Sequence, residues 1–437
     1  MKMFRNKSAF RALIGLTIAA IVVGAAGCSS APEPTAGSSD GSDGISGDLT
    51  IAYLSGNVFL DEMIEEFQEE YPDVKIRGVQ ATSNTYQAQI RSQLDADQGP
   101  EVMHIWTGSG NAMAAKILGG AGKLADLTDR PWAEAMDPAA KSLVSLDGKI
   151  YGYTSVANPY GFVYNPDMMD ELGLTVPETF SDLLDTCEAA RDKGKALIAL
   201  GAQTGYLAYA VPTQLANSVA WTKDPEYLNK LADGEETWTD SKVWKDSLTE
   251  GYELYQQMID GGCFQDSLTG YSDEAAKQMV AAGDAVGTYI IINGLRTLEK
   301  QAPDMKFKFA TLPATESAND LVLTSNPGSA MAVGESSKNM DAALAFIDFL
   351  TTPEHDALQA EENYGLPYTV SDQVKFNDAL APIKDLYMGG NSLLFPTAHW
   401  PNPEVKQTII AESQKMLTGT QDVAGVVDAV QASFKGE

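Results

Sequence analysis

Cysteine, histidine and positive charge are all scarce in this sequence, and each shortage closes off a class of function. Its 437 residues include three cysteines and three histidines, and Lys plus Arg number 30 against 60 for Asp plus Glu. The formal net charge is −30. Nucleic acid and anionic lipid surfaces attract the opposite balance, so neither a nucleic-acid partner nor a basic membrane-binding patch is expected. His104, His355 and His399 are far apart and lack ligand spacing, so neither a metal site nor a cofactor is expected. After the first 27 residues no apolar run reaches the ~20 residues that a membrane-spanning helix needs. The serine-hydrolase elbow, the phosphate-binding loop ending in Lys-Ser/Thr and the zinc-protease helix are likewise missing, and no repeat of solenoid length occurs.

What is present begins with a seam. Lys2, Arg5, Lys7 and Arg11 precede an apolar run from Ala12 to Val23, and Ala25, Ala26 and Gly27 lead into Cys28. A charged start, a short apolar core and small residues describe a secretory signal rather than a span. With cysteine directly after the small residues, the stretch resembles a bacterial lipoprotein lipobox, although Ala25 stands where such boxes prefer Leu. The resemblance implies cleavage before Cys28 and a lipid anchor on it, hence an extracytoplasmic protein held to the cell membrane. Residues 28–47 are mostly Ser, Gly, Pro, Ala and Asp and read as a flexible tether. Loss of the four leader cations makes the mature chain more acidic still, at −34. Of the two remaining cysteines, Cys187 and Cys263, reduced thiols are the expectation, with a bridge permitted outside the cytoplasm.

About 390 residues follow the tether, more than one core usually supports, so two domains are expected. "DLTIAYL" (Asp48–Leu54) is a strand suited to burial on both faces. Leu60, Met63, Ile64, Phe67 and Tyr71 then form one helical stripe that Pro72 stops. "VKIRGV" is a second strand, Thr85–Ala96 a helix and "EVMHIW" a third strand, the rhythm of a parallel sheet covered by helices. Extended aromatic pieces around Asn158 and Pro159 break this rhythm before a second α/β region, with helices over Ser181–Lys193, Ser241–Asp260 and Asp273–Ala282 and a strand in "GDAVGTYIIING". Near the end, Asn339, Thr352 and Asn402 are read as helix caps, and Val423, Val426, Val427, Val430 and Phe434 form a last amphipathic stripe.

The ordered series "GDLTIAYLSGN", "MIEEFQEEYPDVKIRGV", "QIRSQLDADQGPEVMHIW", "GKLADLTD", "LDGKIYGYTSVANPYGFVYNPDMMDELGL", "MVAAGDAVGTYIIINGL" and "SSKNMDAALAFIDFLTTPEHDAL" resembles family 1 extracellular solute-binding proteins. These are sugar-capturing lipoproteins of ABC importers, similar in plan to maltose-binding protein, and the resemblance covers nearly everything after the tether. It implies a two-lobed periplasmic-binding-protein-like α/β fold, each lobe a mostly parallel sheet flanked by helices and each discontinuous in sequence. Lobe one is expected over 48–156 and 328–368, and lobe two over 157–327 and 369–437. It further implies a monomer without enzymatic activity that captures a carbohydrate, an oligosaccharide being the expectation, and passes it to permease subunits.

Ligands of α/β sheets sit beyond the carboxyl ends of strands. That rule selects Asn57 after the first strand, Asn84 and Tyr86 after the second, and Trp106, Thr107, Gly108 and Ser109 after the third. On the other side the family's pattern points to Tyr289, Asn293 and Gly294. Relatives often carry an aromatic two residues past that glycine, but here Arg296 stands in its place. Trp221 and Trp400 are candidate replacements, and His399 could donate to a hydroxyl. Asn158 lies at the first crossing between lobes, and Gly328 at the second supplies backbone freedom or an amide for the ligand. Three other readings fit less of the chain: the same fold with peptide or polyamine cargo, a tethered glycosidase needing two converging carboxylates, and a ligand-sensing partner of a receptor.

Overall fold

Residues 47–54 are the first to be drawn into a sheet, and the reason is legible residue by residue. In β1 (Gly47–Leu54) the side chains of Leu49, Ile51, Ala52 and Tyr53 are buried. β1 pairs in parallel with β2 (Val74–Ala81) and β3 (Val102–Trp106). The intervening helix Val58–Glu70 buries Phe59, Leu60, Met63 and Phe67. Phe67 stacks on Tyr71 at 4.4 Å and meets Phe346 and Phe349 edge-on at 5.1 and 5.3 Å. Burying such a ring contributes about 1.5–3 kcal/mol, far more than the helix's own propensity.

The computed structural model describes residues 44–362, 364–368 and 376–434, and for Asn84 the backbone alone. The leader, Cys28, the lipidation expected there and most of the tether lie outside the described residues, as does part of the second segment expected for lobe two. Among the described residues no helix is long and apolar enough to cross a membrane.

Two sheets organise the chain. A hairpin of β4 (Ser145–Leu146) and β5 (Lys149–Ile150) precedes the long β6 (Val156–Tyr164). The remaining strands are β7 (Ala196–Ala199), β8 (Ala285–Ile291), β9 (Lys308–Ala310), β10 (Leu323–Asn326), β11 (Ser329–Val333), β12 (Leu366–Pro367) and β13 (Ser392–Leu394). The first sheet has the order β11-β3-β1-β2, parallel except for β11 against β3. The second has the order β13-β10-β6-β8-β7, with β9 and β12 also on β6. Its outer pairs β7–β8 and β10–β13 are parallel, while β6 runs against its neighbours.

The chain passes between these sheets at closely grouped points. β10 belongs to the second sheet and β11 to the first, separated by Pro327 and Gly328. Tyr153 bridges to Met331 of the first sheet, and three residues later Val156 begins a strand of the second. β12 pairs Leu366 and Pro367 with Ala157 and Val156. Gly328 holds φ +75°, and a Cβ there would stand 2.4 Å from the Val156 carbonyl oxygen, so this close crossing requires glycine.

Two expectations differ from what is observed at the level of local structure. Asn339 does not cap its helix through its side chain; its Nδ2 donates instead to the Asp48 carbonyl at 2.6 Å, tying Met340–Leu350 to β1. Asn402 does cap, its Oδ1 accepting from the Glu404 amide at 2.9 Å. The helix Gly205–Lys223 has no counterpart in the sequence reading. It is buried on all sides from Leu207 to Ala220 and carries Pro212 inside it, so it shows no stripe at a period of 3.6. Gly251 of the neighbouring helix Lys242–Asp260 lets the two approach, since a Cβ there would meet Pro212 O and Ala216 N at 2.6 Å.

Cys187 and Cys263 are joined in a disulfide, where reduced thiols were the expectation. Helix Phe180–Asp192 carries the first, and the second sits where Phe264 bridges to Ile198 of β7; both are fully buried. The bridge closes a sequence separation of 76 residues, which by chain entropy stabilises the fold by about 4 kcal/mol. The double substitution Cys187→Ser with Cys263→Ser is therefore expected to lower the denaturant midpoint by a corresponding amount in a urea titration. An unchanged midpoint would show that the bridge adds nothing.

Candidate functional site

The carboxyl end of β1 and the segment after β8 face one another across a cleft of about 250 Å³. Ser55, Gly56, Asn57 and Val58 line it from the first sheet, together with His104 of β3 and Ser329 of β11. Asn158 of β6 and Asn293, Arg296, Thr297 and Lys300 line it from the second, and Gln359 and Glu362 complete it from helix Pro353–Glu362. The lining is polar and charged, with few apolar walls.

Each lining group has a local cause. Asn57 caps the first helix, its Oδ1 accepting from the Leu60 amide at 3.1 Å, so that helix presents its N-terminal turn to the cleft. His104 is 5% exposed. Burial holds its imidazole neutral, lowering its pKa to about 3, and its Nε2 has no hydrogen-bond partner among the described residues. The ring is edge-on to Trp106 at 4.8 Å and to Tyr86 at 5.8 Å. Asn158 Oδ1 is likewise buried without a partner. Arg296 reaches Glu362 twice, donating from Nε to its carbonyl at 3.0 Å and from a terminal nitrogen to Oε2 at 2.7 Å, and lies 5.5 Å from the centre of the Tyr364 ring.

Of the residues singled out from sequence, Asn57, Asn158, Asn293 and Arg296 are brought together here. Trp106 ends β3, half-buried, with Ser329 of the cleft as its register partner. Asn84 begins its helix one residue in, with its side chain outside the described residues.

The others are committed elsewhere. Tyr86 is buried, its hydroxyl donating to the carbonyls of Ala52 and His104 at 3.0 and 2.8 Å. Tyr289 is buried against Tyr160, its hydroxyl 3.4 Å from the Ala210 carbonyl. Trp400 is fully buried in the core of the second sheet. No ligand can stack on these three in this conformation. Trp221 is half-buried in the last turn of Gly205–Lys223 and is not part of the cleft wall.

The loop after β3 carries the clearest reassignment. Thr107 Oγ1 donates to the carbonyls of Pro327 and Gly328 at 3.1 and 3.3 Å, and Gly328 itself is a crossing point rather than a cleft residue. Ser109 donates from its amide to the Ala398 carbonyl at 3.2 Å and from Oγ to the Trp400 carbonyl at 2.7 Å. Gly108, at φ +72°, lies so close to that segment that a Cβ would be 1.9 Å from the Ala398 carbonyl oxygen. These residues join the two sheets directly instead of lining the cleft. His399 sits at this junction, half-buried, with burial and then the nearby Lys116 holding its imidazole neutral at a pKa of about 4.

Sequence reasoning did not select His104, Thr297, Lys300, Ser329, Gln359 or Glu362 as ligand contacts. His104 and Ser329 lie inside strands rather than after them, so a rule about strand ends misses them. Among the described residues no group of three or more His, Cys, Asp or Glu could hold a metal ion.

Comparison with known proteins places this geometry. The family model described as bacterial extracellular solute-binding protein matches residues 53–357. The multiple sugar-binding protein of Streptococcus mutans is 20% identical over 399 residues, 88% of this chain and 90% of that protein. The melibiose/raffinose/stachyose-binding protein MelE of Bacillus subtilis is 27% identical over 135 residues, a match that spans 30% of this chain and 29% of MelE. Among solved structures, the solute-binding protein RafE in complex with raffinose superposes with a TM-score of 0.72 at 18% identity, covering 89% of this chain and 99% of that one. At that identity the likeness is one of fold, and the fold is the two-lobed α/β one.

Two outcomes test this geometry. A histidine whose pKa is lowered by folding resists the proton that the unfolded chain accepts, so stability falls with pH between about 6.5 and about 3, by at most about 1.4 kcal/mol per unit per group. His104→Gln is therefore expected to lose less stability than the wild type on going from pH 7 to pH 4 in chemical denaturation, and parallel losses would contradict the buried neutral ring. Gly108→Val should cost about 1–3 kcal/mol at the junction with Ala398; an equal urea midpoint would show that the loop is not held there.

Proposed function

The chain belongs to the bacterial extracellular solute-binding protein family, and on that premise we propose that it captures a saccharide in the cleft between its two sheets and delivers it to the permease of an ABC importer. Its place of work is outside the cytoplasm. One lobe spans 48–156 and 328–368 and the other 157–327 and 369–437, with Val156 and β12 at the border, on the second sheet. The Cys28 lipid holds a monomeric carrier to the cell membrane through the 28–47 tether, and the carrier acts by binding, without chemistry on its cargo.

The observation that carries the reading is the cleft itself. It gathers polar groups from both sheets, and two of them, His104 Nε2 and Asn158 Oδ1, are buried without a protein partner. A buried polar atom left unmade costs about 1–3 kcal/mol, and a ligand rich in hydroxyls relieves that cost by donating and accepting. A volume of about 250 Å³ lies just below the ~300–1,000 Å³ typical of drug-sized ligands, which favours a short saccharide or the end unit of a longer one. The MelE and RafE names point to saccharides as well.

Closure supplies the signal. A ligand that touches both walls binds the closed arrangement better than the open one, and it shifts the population by that difference in affinity.

Thermal melting of the protein against mono-, di- and oligosaccharides tests the cargo. A ligand at a hundred times its dissociation constant adds about 2.7 kcal/mol of stability, and small-angle scattering with the same ligand should give a smaller radius of gyration. A peptide or polyamine that raises the melting temperature where every sugar fails would overturn the saccharide reading, and turnover of a bound glycoside would overturn the non-enzymatic one.

A further inference from the structure

The charge inside the cleft runs against the charge of the whole chain. The protein carries a net −30, yet its cleft is lined by two cations, Arg296 and Lys300, and by one carboxylate, Glu362. Glu362 is already engaged by Arg296, whose five N–H donors are only partly used by it. Lys300 is exposed, and among the described residues no carboxylate lies within ion-pair distance of its Nζ. The cleft is therefore positive by about one unit, beside a neutral His104.

The opposite wall adds a second attraction for negative charge. Ser55, Gly56 and Asn57 lead into the helix Val58–Glu70, where half-buried Val58 and buried Phe59 border the cleft. The Leu60 amide is taken by Asn57 Oδ1 and the Asp61 amide by the Asn57 carbonyl, which leaves the N–H groups of Val58 and Phe59 as the free donors of that terminus. A 13-residue helix places a partial positive charge there. Between the walls, the buried and unpartnered Nε2 of His104 supplies a further polar contact.

We infer that the saccharide this cleft takes carries a carboxylate, as a hexuronate or a uronate-ended oligosaccharide does. The inference rests on the saccharide reading above and narrows it. Lys300 and the free donors of Arg296 pair with the carboxylate, and the Val58 and Phe59 amides meet it from the other lobe. The sugar's hydroxyls go to Asn158, Asn293 and Ser329. A monoanion balances the cleft's single excess charge. A phosphate, with about −1.5 to −2 at neutral pH, would leave uncompensated negative charge beside Glu362. Placing Arg296 where an aromatic platform would stand exchanges stacking for charge-assisted hydrogen bonds.

Isothermal titration of the full chain at low and at physiological salt tests this, with galacturonate, glucuronate and their short oligomers set against glucose, galactose, neutral oligosaccharides of equal length and glucose 6-phosphate. The uronates are expected to bind at least about tenfold more tightly than their neutral counterparts, and the advantage should shrink as salt rises. Lys300→Met should remove most of that advantage, and Lys300→Arg should retain it. Neutral sugars that bind as tightly as uronates, or a uronate preference untouched by Lys300→Met, would overturn the inference and leave the saccharide reading standing. Preference for the phosphate ester would assign the same cations to phosphorylated sugars and overturn the carboxylate. Binding of a peptide or polyamine with no sugar of either kind would overturn both readings together.

Discussion

Three passages of the chain are forced through one small space, and the arrangement of the two sheets depends on it. The Val156 carbonyl stands where a side chain at Gly328 would be. Gly365 lies under the Val156 side chain, with its own Cβ position 2.9 Å away. Thr107 Oγ1 and the Tyr368 hydroxyl both donate to the Pro327 carbonyl. Gly328 permits a backbone-to-backbone approach that a larger residue would block, and Gly365 leaves room for the Val156 side chain. The hydroxyls in turn satisfy a carbonyl that crosses between sheets without strand partners of its own. The three passages therefore meet along one line between the sheets.

The two loops meet different surroundings in the fold. The loop after β3 lies near enough to reach the Pro396–Trp400 segment, and its glycines and serine are spent on carbonyls of the other sheet. The loop after β1 faces the helix turn beyond β8 with the cleft between them, so its polar groups are free for a ligand. The aromatic residues follow the same division. Tyr86, Tyr289 and Trp400 each bury a large apolar area in a core, where it stabilises the lobe by a few kcal/mol. Arg296 and Lys300 cannot be buried so cheaply and remain at the cleft. A site left to such groups recognises by hydrogen bonds and charge, with Trp106 at its edge as the nearest indole.

Much of the fold was legible in the sequence for a physical reason: alternation of apolar runs and 3.6-period stripes is imposed wherever one face of an element is buried and the other wet. β1, the stripe through Leu60, Met63 and Phe67, and the closing helix Val423–Ser433 obey it. Gly205–Lys223 does not, because a helix buried on every side has no wet face to mark its period. The disulfide was illegible because pairing depends on bringing Cys187 and Cys263 within reach across 76 positions, which no local pattern encodes. In the candidate site, Asn57 was selected because it follows a strand, Asn158 because it lies at a crossing, and Asn293 and Arg296 through the family pattern that one matches and the other interrupts. His104 and Ser329 were missed because their strands deliver them sideways into the cleft.

The sequence alone determined the acidic character, the strand and helix order from β1 to β3 and the family, since each of these is a property of composition or of neighbours along the chain. Which loop would face a ligand and which would face the other sheet was decided only in three dimensions. Ser109 and Asn57 are both polar residues that follow a strand. The partners that the folded chain brings to each make one a tie between sheets and the other a wall of the cleft.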